Sequence, residues 1–549
     1  MEKTKKLFLD HIGLFILILI LFPLLFHNFS YFPNGWDQIE YSWVISSNYL
    51  PHSPYIAYIF IGKIFNLFFD APIALSIISV ISGLCSICLF YVINFKLFQT
   101  KKQYINSKLL ALLSVLLFGL SYLFIQQSTI QELYMFQTML IMLTIFLLIS
   151  KIKYKEIYAG ITFGFLFAAH NSSIFFIPVI LYLFFSFKNK KKSLNIKNWF
   201  ITSIITCFMF YFLLYLIFPP LNQSQKLIEF ILYLRGIAPG IEILNVFNFE
   251  FIKNSIFGLF ERLFNSELIN LGYLHLIFFV IGFVLSYIKN LRFFLFWIIY
   301  CLPYLSYEIL FGQNLDFGLY VPFLYPTLFV FISYGLVETW NYLLLRYDKK
   351  NILNKKYYLK IKINSLIKIV ISLFTILIVL MLIFPSYNLM KSHWNDLDND
   401  ILNHYSNTTL AAIWLSDNVE KNAVIIQPKD EWNVNIIPYY SNRKHIYHFQ
   451  EKLMLFEDRG VFTPLNENSF SILTTEKLID LFNLDIPVYA FDEDPLSGFN
   501  EGILEQYKFT WQPVRVIEVD EIRFKILISD KNRDGLSKED VILYKCFLS

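Results

Sequence analysis

Apolar residues dominate the first 386 positions, and polar residues are confined mostly to breaks between apolar runs. The runs cover residues 9–26, 72–98, 109–125, 133–149, 157–187, 200–218, 273–288, 293–311, 319–340 and 367–385. Most approach the ~20 residues a helix needs to cross a bilayer. The 157–187 run is too long for one span and short for two, and its middle, Ala168-Ala169-His170-Asn171-Ser172-Ser173, is polar. That predicts a helical hairpin with its tip at one membrane face. Residues 54–69 are amphipathic with Lys63 inside, which predicts an interfacial helix or a short re-entrant piece. Counted together, the pattern predicts about eleven spans.

After position 386 the pattern changes. Charges of both signs, Asp/Asn-rich turns and short apolar runs replace the long ones. Residues 423–426 and 487–491 predict strands, 410–418 a helix, and 514–528 alternate as strands do. The expected organisation is therefore a mainly α, polytopic transmembrane helical domain over 1–386, with loops 27–70 and 221–271, followed by a mixed α/β domain over 387–549. At about 160 residues the second domain is long enough to have its own core.

Composition agrees with a membrane class. Hydrophobic residues make up 56% of the chain and charged residues 16%, against roughly 25% charged in soluble domains; mean hydropathy is +0.52. The net charge of +4 matters less than its distribution. Lys96, Lys101, Lys102 and Lys108 fall in one break, Lys151, Lys153 and Lys155 in another, and Lys188, Lys190, Lys191 and Lys192 in a third. Lys289, Arg292, Arg346, Lys349, Lys350, Lys355 and Lys356 continue the alternation. Basic short loops stay cytoplasmic, so the expectation is a cytoplasmic N-terminus and an extracytoplasmic C-terminal domain, in a multi-pass cell (inner) membrane protein. Lys3, Lys5 and Lys6 before the first run resemble a secretory signal, but no small-residue cleavage site follows, so an uncleaved anchor is expected. Cys85 and Cys88 have CxxC spacing but lie mid-span, where small apolar side chains are the simpler reading.

In this topology the candidate chemistry collects on the external side. Asn34-Gly35-Trp36-Asp37-Gln38-Ile39-Glu40-Tyr41 opens the first external loop, and its two carboxylates, three residues apart, share a helix face. An ionised group beside a membrane is costly without a role or partner, and a carboxylate near apolar walls can act as a general base or bind a cation. His52 lies in a His-Ser-Pro turn, and Lys63 either snorkels or anchors an anionic headgroup. Glu132 and Tyr134 open an inbound span, where the helix macrodipole alone would favour the acid. His170 and Asn171 sit at the hairpin tip, Arg235 in a Gly-flanked turn suited to phosphate, and Asp316 in a late external turn. For each of these, structural and functional roles both stay open. Transporters more often carry their polar residues near the midplane on broken helices, and mid-span positions here are nearly all apolar. No Walker A loop, Rossmann glycine pattern, HExxH or GxSxG occurs. An energised lipid is therefore expected in place of a nucleotide, and no nucleic-acid partner.

At these residues the chain resembles the GT-C superfamily of integral-membrane glycosyltransferases, in the branch of protein O-mannosyltransferases, aminoarabinose lipid A transferases and bacterial membrane domains of unknown function. Asp37 and Glu40 match that branch's acidic pair, His52-Ser53-Pro54 its His-Pro turn, and Gly62-Lys63-Ile64-Phe65 its Gly-Lys helix. Gln131-Glu132-Leu133-Tyr134 resembles the acidic-Tyr motif, Ala168-Ala169-His170-Asn171 the small-residue-plus-His hairpin, and the 315–322 segment the late Asp-Tyr-Pro stretch. Ser53 and Tyr55 depart from the pattern. The resemblance implies a polyprenyl-phosphate sugar donor, with mannose or a similar hexose, and an external protein, lipid or glycan acceptor. It implies inversion at the anomeric carbon, with Asp37 as general base and Lys63, Arg235 or His170 offsetting the phosphate charge. A divalent cation is an option, held with help from Glu40 and Glu132. The alternatives are a transporter or flippase of a lipid-linked glycan, or an inactive GT-C-like assembly partner.

Overall fold

The computed structural model describes residues 11–29, 36–46, 55–99, 104–186, 195–217, 272–311, 320–352 and 375–388, with short stretches in 253–258 and between 415 and 548. The chain divides into two compact units, residues 1–32 with 54–391, and residues 33–53 with 392–549.

The first unit is helical, because its long apolar runs can satisfy backbone hydrogen bonds in lipid only internally. In chain order its helices are α1 (Ile12–His27), α3 (Ile56–Phe65), α4 (Ala71–Phe98), α5 (Tyr104–Gly119), α6 (Tyr122–Thr129), α7 (Tyr134–Ile149) and α8 (Lys155–Ala169). A 3₁₀ helix (Asn171–Phe176), α9 (Ile177–Ser186), α10 (Ile196–Ile217), α11 (Gly272–Lys289), α12 (Leu291–Phe311), α13 (Tyr320–Phe323) and α14 (Tyr325–Ile352) follow, with α15 (Thr375–Asn388) last. Each apolar run expected from the sequence holds one of these helices or a broken one. Among the described residues, Ala71–Phe98, Ile196–Leu213 and Gly272–Lys289 are long and apolar enough to cross a membrane; α5 and α6, bent by 63° at their junction, would make a fourth span together. Gly119 and Ser121 explain that bend: neither supports a continuous helix strongly, and the Ser121 hydroxyl donates to the Phe118 carbonyl at 2.6 Å.

Helix α4 is the hub, packed on α1, α3, α5, α6 and α7. Close helix approaches are made by glycine. Gly282 of α11 and Gly335 of α14 let the two backbones meet, and a Cβ on Gly282 would lie 1.8 Å from the Phe331 carbonyl oxygen. Lys289 and Glu338 form an ion pair between the same two helices. Aromatic side chains fill the centre: Tyr304 stacks on Phe323 at 4.4 Å and Phe176 on Phe323 at 4.6 Å. The outward faces of α1 and α10 leave Phe15, Leu19, Ile204, Ile205 and Phe208 exposed, as a lipid-facing surface requires. Cys85, Cys88, Cys207 and Cys301 are free thiols.

The second unit contains α2 (Trp36–Ser46) and a seven-stranded sheet in the order β4-β3-β2-β1-β5-β7-β6. The strands are β1 (Val424–Ile426), β2 (Lys444–Phe449), β3 (Lys452–Phe456), β4 (Phe470–Ile472), β5 (Val488–Phe491), β6 (Phe509–Glu518) and β7 (Asp540–Leu548). β1 is parallel to both β2 and β5, while the outer pairs are antiparallel. Val424 and Ile425 are fully buried, as apolar residues of a central parallel strand should be. The Tyr489 hydroxyl donates to Glu420 at 2.7 Å, tying β5 to the turn before β1. The sequence reading assigned loop 27–70 to the membrane domain; by packing, residues 33–53 group with the sheet.

Candidate functional site

The hairpin tip is where the described polar candidates meet. α8 ends at Ala169, and His170 breaks the helix in extended conformation before the 3₁₀ turn begins. Its side chain caps that turn: the backbone N–H of Ser172 donates to His170 Nδ1 at 3.1 Å. The ring lies flat against Tyr55 at the start of α3, with centroids 5.1 Å apart and planes 7° from parallel. Tyr134, the first residue of α7, meets it edge-on at 6.2 Å. His170, Tyr134 and Tyr55 thus come from three different elements.

Glu132 lies two residues before α7, in the tight turn after α6, and is buried at 8% exposure. Its backbone carbonyl accepts from Ser79 of α4 at 3.0 Å. Tyr58, one turn beyond Tyr55 on α3, is buried beside Ser79 and feels the Glu132 charge. Gln137, one turn into α7 on the same face as Tyr134, is fully buried and donates to the Ser172 and Ser173 hydroxyls at 2.9 and 3.2 Å. Asn171 follows His170 directly in the 3₁₀ turn. Lys63 is half-buried at the far end of α3, about 12 Å along the axis from Tyr55 at 1.5 Å per residue.

Beside this polar tip is an apolar cleft of about 350 Å³, lined by Phe163, Phe167, Ile174, Trp199, Ile204 and Phe208 among others. It lies between α8, the turn after it and α10. Its lining residues flank His170 in sequence on both sides.

Asp37 and Glu40 fall in α2, three positions apart on one helical face; their side chains lie outside the described residues. Ile39, Tyr41, Val44 and Ile45 of the same helix are buried. His52, Arg235 and Asp316 also lie outside the described residues. Of the ten candidates, therefore, Glu132, Tyr134, His170 and Asn171 share one end of the first unit, with Lys63 farther along α3. The sequence reading did not single out Tyr58, Ser79, Gln137 or Ser172. The available signal was spacing: Gln137 stands three residues after Tyr134 in an otherwise apolar run, and Ser172 follows His170 by two.

Among the described residues no group of three or more His, Cys, Asp or Glu side chains is arranged to hold a metal ion. A site built on Glu132 would need ligands from beyond those residues.

No protein-family model matches the chain, and no curated protein does. Solved structures do. ArnT from Cupriavidus metallidurans bound to undecaprenyl phosphate is 10% identical, with 97% of this chain and 98% of that one covered and a TM-score of 0.56. The same protein in the apo state gives 10% identity, the same coverage and a TM-score of 0.54. The chain therefore shares the fold of ArnT from end to end.

Proposed function

We propose that this protein is a membrane glycosyltransferase that moves a sugar from a polyprenyl-phosphate donor to an acceptor hydroxyl at the external membrane face. The observation that carries the reading is the pairing, in the first unit, of a polar aromatic tip with an apolar cleft beside it. An amphiphile with an anionic head and a long apolar tail suits such a pair, since each end is moved from water or lipid into a matching environment. The full-length likeness to a protein solved with undecaprenyl phosphate supports the same ligand class here.

In the proposed reaction Asp37 removes the proton of the acceptor hydroxyl. The acceptor oxygen attacks the anomeric carbon, the bond from that carbon to the phosphate oxygen breaks, and polyprenyl phosphate leaves with both electrons. Attack opposite the leaving group inverts the anomeric centre. Lys63, Arg235 and His170 offset the charge that grows on the phosphate, an effect that is largest where water is excluded. Glu132, Tyr134 and Asn171 shape the donor end, Glu40 supports Asp37, and Asp316 is assigned to donor binding. The sugar assigned is mannose or a related hexose. The N-terminus is cytoplasmic, residues 1–386 take the donor, and the extracytoplasmic domain over 387–549 selects the acceptor.

The test is incubation of the purified full chain with a panel of prenyl-phosphate sugars and candidate acceptors, read by mass spectrometry. Glycosylated product from one donor, reduced ~10²–10⁴-fold in Asp37→Asn, is expected. A folded protein that transfers no sugar from any prenyl-phosphate donor refutes the reading.

A further inference from the structure

The hydrogen bonds around His170 do more than cap a turn. The backbone N–H of Ser172 points at Nδ1 at 3.1 Å, and a peptide proton cannot rotate away. That favours a lone pair on Nδ1, and a second donor to the same nitrogen fixes it there. The Ser172 hydroxyl lies 2.5 Å from the same nitrogen. That hydroxyl has one proton, and the side-chain amide of Gln137 decides where it goes. Gln137 donates to Ser172 Oγ at 2.9 Å and fills one of its acceptor positions, so with Nδ1 already accepting from the Ser172 N–H the serine proton is directed at His170. Gln137 also donates to Ser173 Oγ at 3.2 Å, whose own proton goes to the Leu166 carbonyl at 3.1 Å. The amide is thus held from both serines, and the direction of every proton in the chain is set. Nδ1 receives two donors, so the ring proton must sit on Nε2. Nε2 has no hydrogen-bond partner among the described residues.

The ring is also fixed in orientation. Tyr55 covers one face and Tyr134 meets it edge-on. A neutral imidazole held this way is a donor with its N–H fixed in advance. It is neither a proton acceptor nor a metal ligand through Nδ1.

We infer that Gln137 is a positioning residue: through Ser172 it locks His170 in the Nε2–H tautomer, so that Nε2–H donates to an oxygen of a lipid-linked phosphate. This rests on the glycosyltransferase reading for the identity of the anion, and it names a buried residue of α7 that touches no reactant. The donation strengthens as the phosphate oxygen gains charge on departure, so the effect falls on the chemical step rather than on donor binding.

The experiment uses the full chain in lipid nanodiscs with ¹⁵N-labelled histidine, the His170 signals being identified by their loss in His170→Asn. The expected spectrum has a pyridine-type Nδ1 and a pyrrole-type Nε2 across neutral pH, and added undecaprenyl phosphate shifts Nε2 alone. In Gln137→Leu the Nδ1–H form becomes detectable, and kcat falls about 10-fold, the worth of one well-placed hydrogen bond, with KM for the donor lipid unchanged. Ser172→Thr, which keeps the hydroxyl, retains the wild-type tautomer and kcat. A pyrrole-type Nδ1 in the wild-type protein overturns the proposal whatever the activity. So does an Nε2 signal indifferent to undecaprenyl phosphate, or a Gln137→Leu protein that transfers sugar at the wild-type rate. Failure of the broader reading looks different: the wild-type protein transfers nothing, while the tautomer and the lipid-induced shift at Nε2 are as expected, and the proposal then stands for a lipid-phosphate site.

Discussion

Replacing Gly160 by alanine sets two opposed effects of known size against each other. A helix-interior glycine changed to alanine gains about 0.8–1 kcal/mol of helix propensity. In α8, however, a Cβ at Gly160 would lie 1.9 Å from Thr202 Oγ1 and 2.5 Å from the Trp199 carbonyl oxygen of α10. The threonine cannot swing clear at no cost, since its hydroxyl already donates to the Asn198 carbonyl at 2.7 Å. The carbonyl is backbone and cannot move without its helix. Ordinary contact starts at 3.4 Å, so α8 and α10 must part by roughly 0.9 Å along that line, and forced separations of packed elements cost about 1–3 kcal/mol. The net expectation is a loss of up to about 2 kcal/mol.

Gly164, one turn on, faces the same partner, 2.4 Å from the Ser203 carbonyl. One displacement relieves both clashes, so the Gly160→Ala/Gly164→Ala double variant bears the separation once and gains propensity twice. It should be no less stable than the worse single variant, a strongly non-additive result of the kind coupled neighbours give. The assay is apparent melting temperature in nanodiscs, where about 1 °C accompanies each kcal/mol in a chain this size. It is run with and without undecaprenyl phosphate, because Phe163, Gly164, Trp199 and Ser203 line the cleft. A parted cleft should show a smaller ligand-induced rise. Single variants more stable than wild type, or a double variant whose losses simply add, would refute the argument.

Three further outcomes are expected. Asp37→Asn should lower transfer by ~10²–10⁴, as the loss of a general base does, with the melting temperature unchanged; full activity would remove the residue from the mechanism. Ser79→Ala deletes the hydroxyl that donates to the Glu132 carbonyl. It should cost about 0.5–1.5 kcal/mol, read as a lower melting temperature, while an unchanged value would show that the turn before α7 is held by other contacts. In the second unit, Tyr489→Phe breaks the bond to Glu420, and hydrogen exchange should quicken at Val424, Ile425 and Val488 before it does elsewhere in the sheet; uniform exchange would mean that this link is not what holds β5 to β1.

The fold class was legible because lipid imposes one rule on backbone polar groups, and the apolar runs obey it. The 157–187 segment shows how far that goes. Its length and polar middle predict two helices about a break, and α8, the 3₁₀ turn and α9 fall in that order. The bend between α5 and α6 was not legible, because the run 109–125 reads as one span and only packing decides that Gly119 and Ser121 act as a break. In the second unit, β1 and β5 were expected, since a short apolar run bounded by polar turns is the mark of a buried strand. β2 and β7 were missed: Lys444, His445, His448 and Lys545 interrupt the apolar pattern, and their strand state depends on partners far along the chain. Individual chemistry-bearing residues stood out by type against an apolar background, as Glu132 and His170 did. Gln137, Ser79 and Ser172 did not, because their roles come from cross-helix hydrogen bonds that spacing along one helix cannot reveal.

Helix α8 then accounts for why cleft and tip adjoin. Gly160, Phe163, Gly164 and Phe167 stand at i, i+3, i+4 and i+7, one stripe of an α-helix. Within it the two glycines let α10 approach, and the two phenylalanines wall the space beside that contact. Continued by one more turn, the stripe reaches His170, where the helix stops. Ending the helix one residue earlier would rotate the terminal side chain by about 100° and take it off the stripe, two residues after Phe167. A polar anchor at the end of an apolar cleft is therefore a consequence of helix periodicity together with where α8 ends. Deletion of Ala168, which brings the histidine to two residues after Phe167, should consequently abolish lipid-phosphate binding while α8 and α10 stay packed through Gly160 and Gly164. Retained binding of undecaprenyl phosphate in that variant would show that the cleft and His170 do not act on the same molecule.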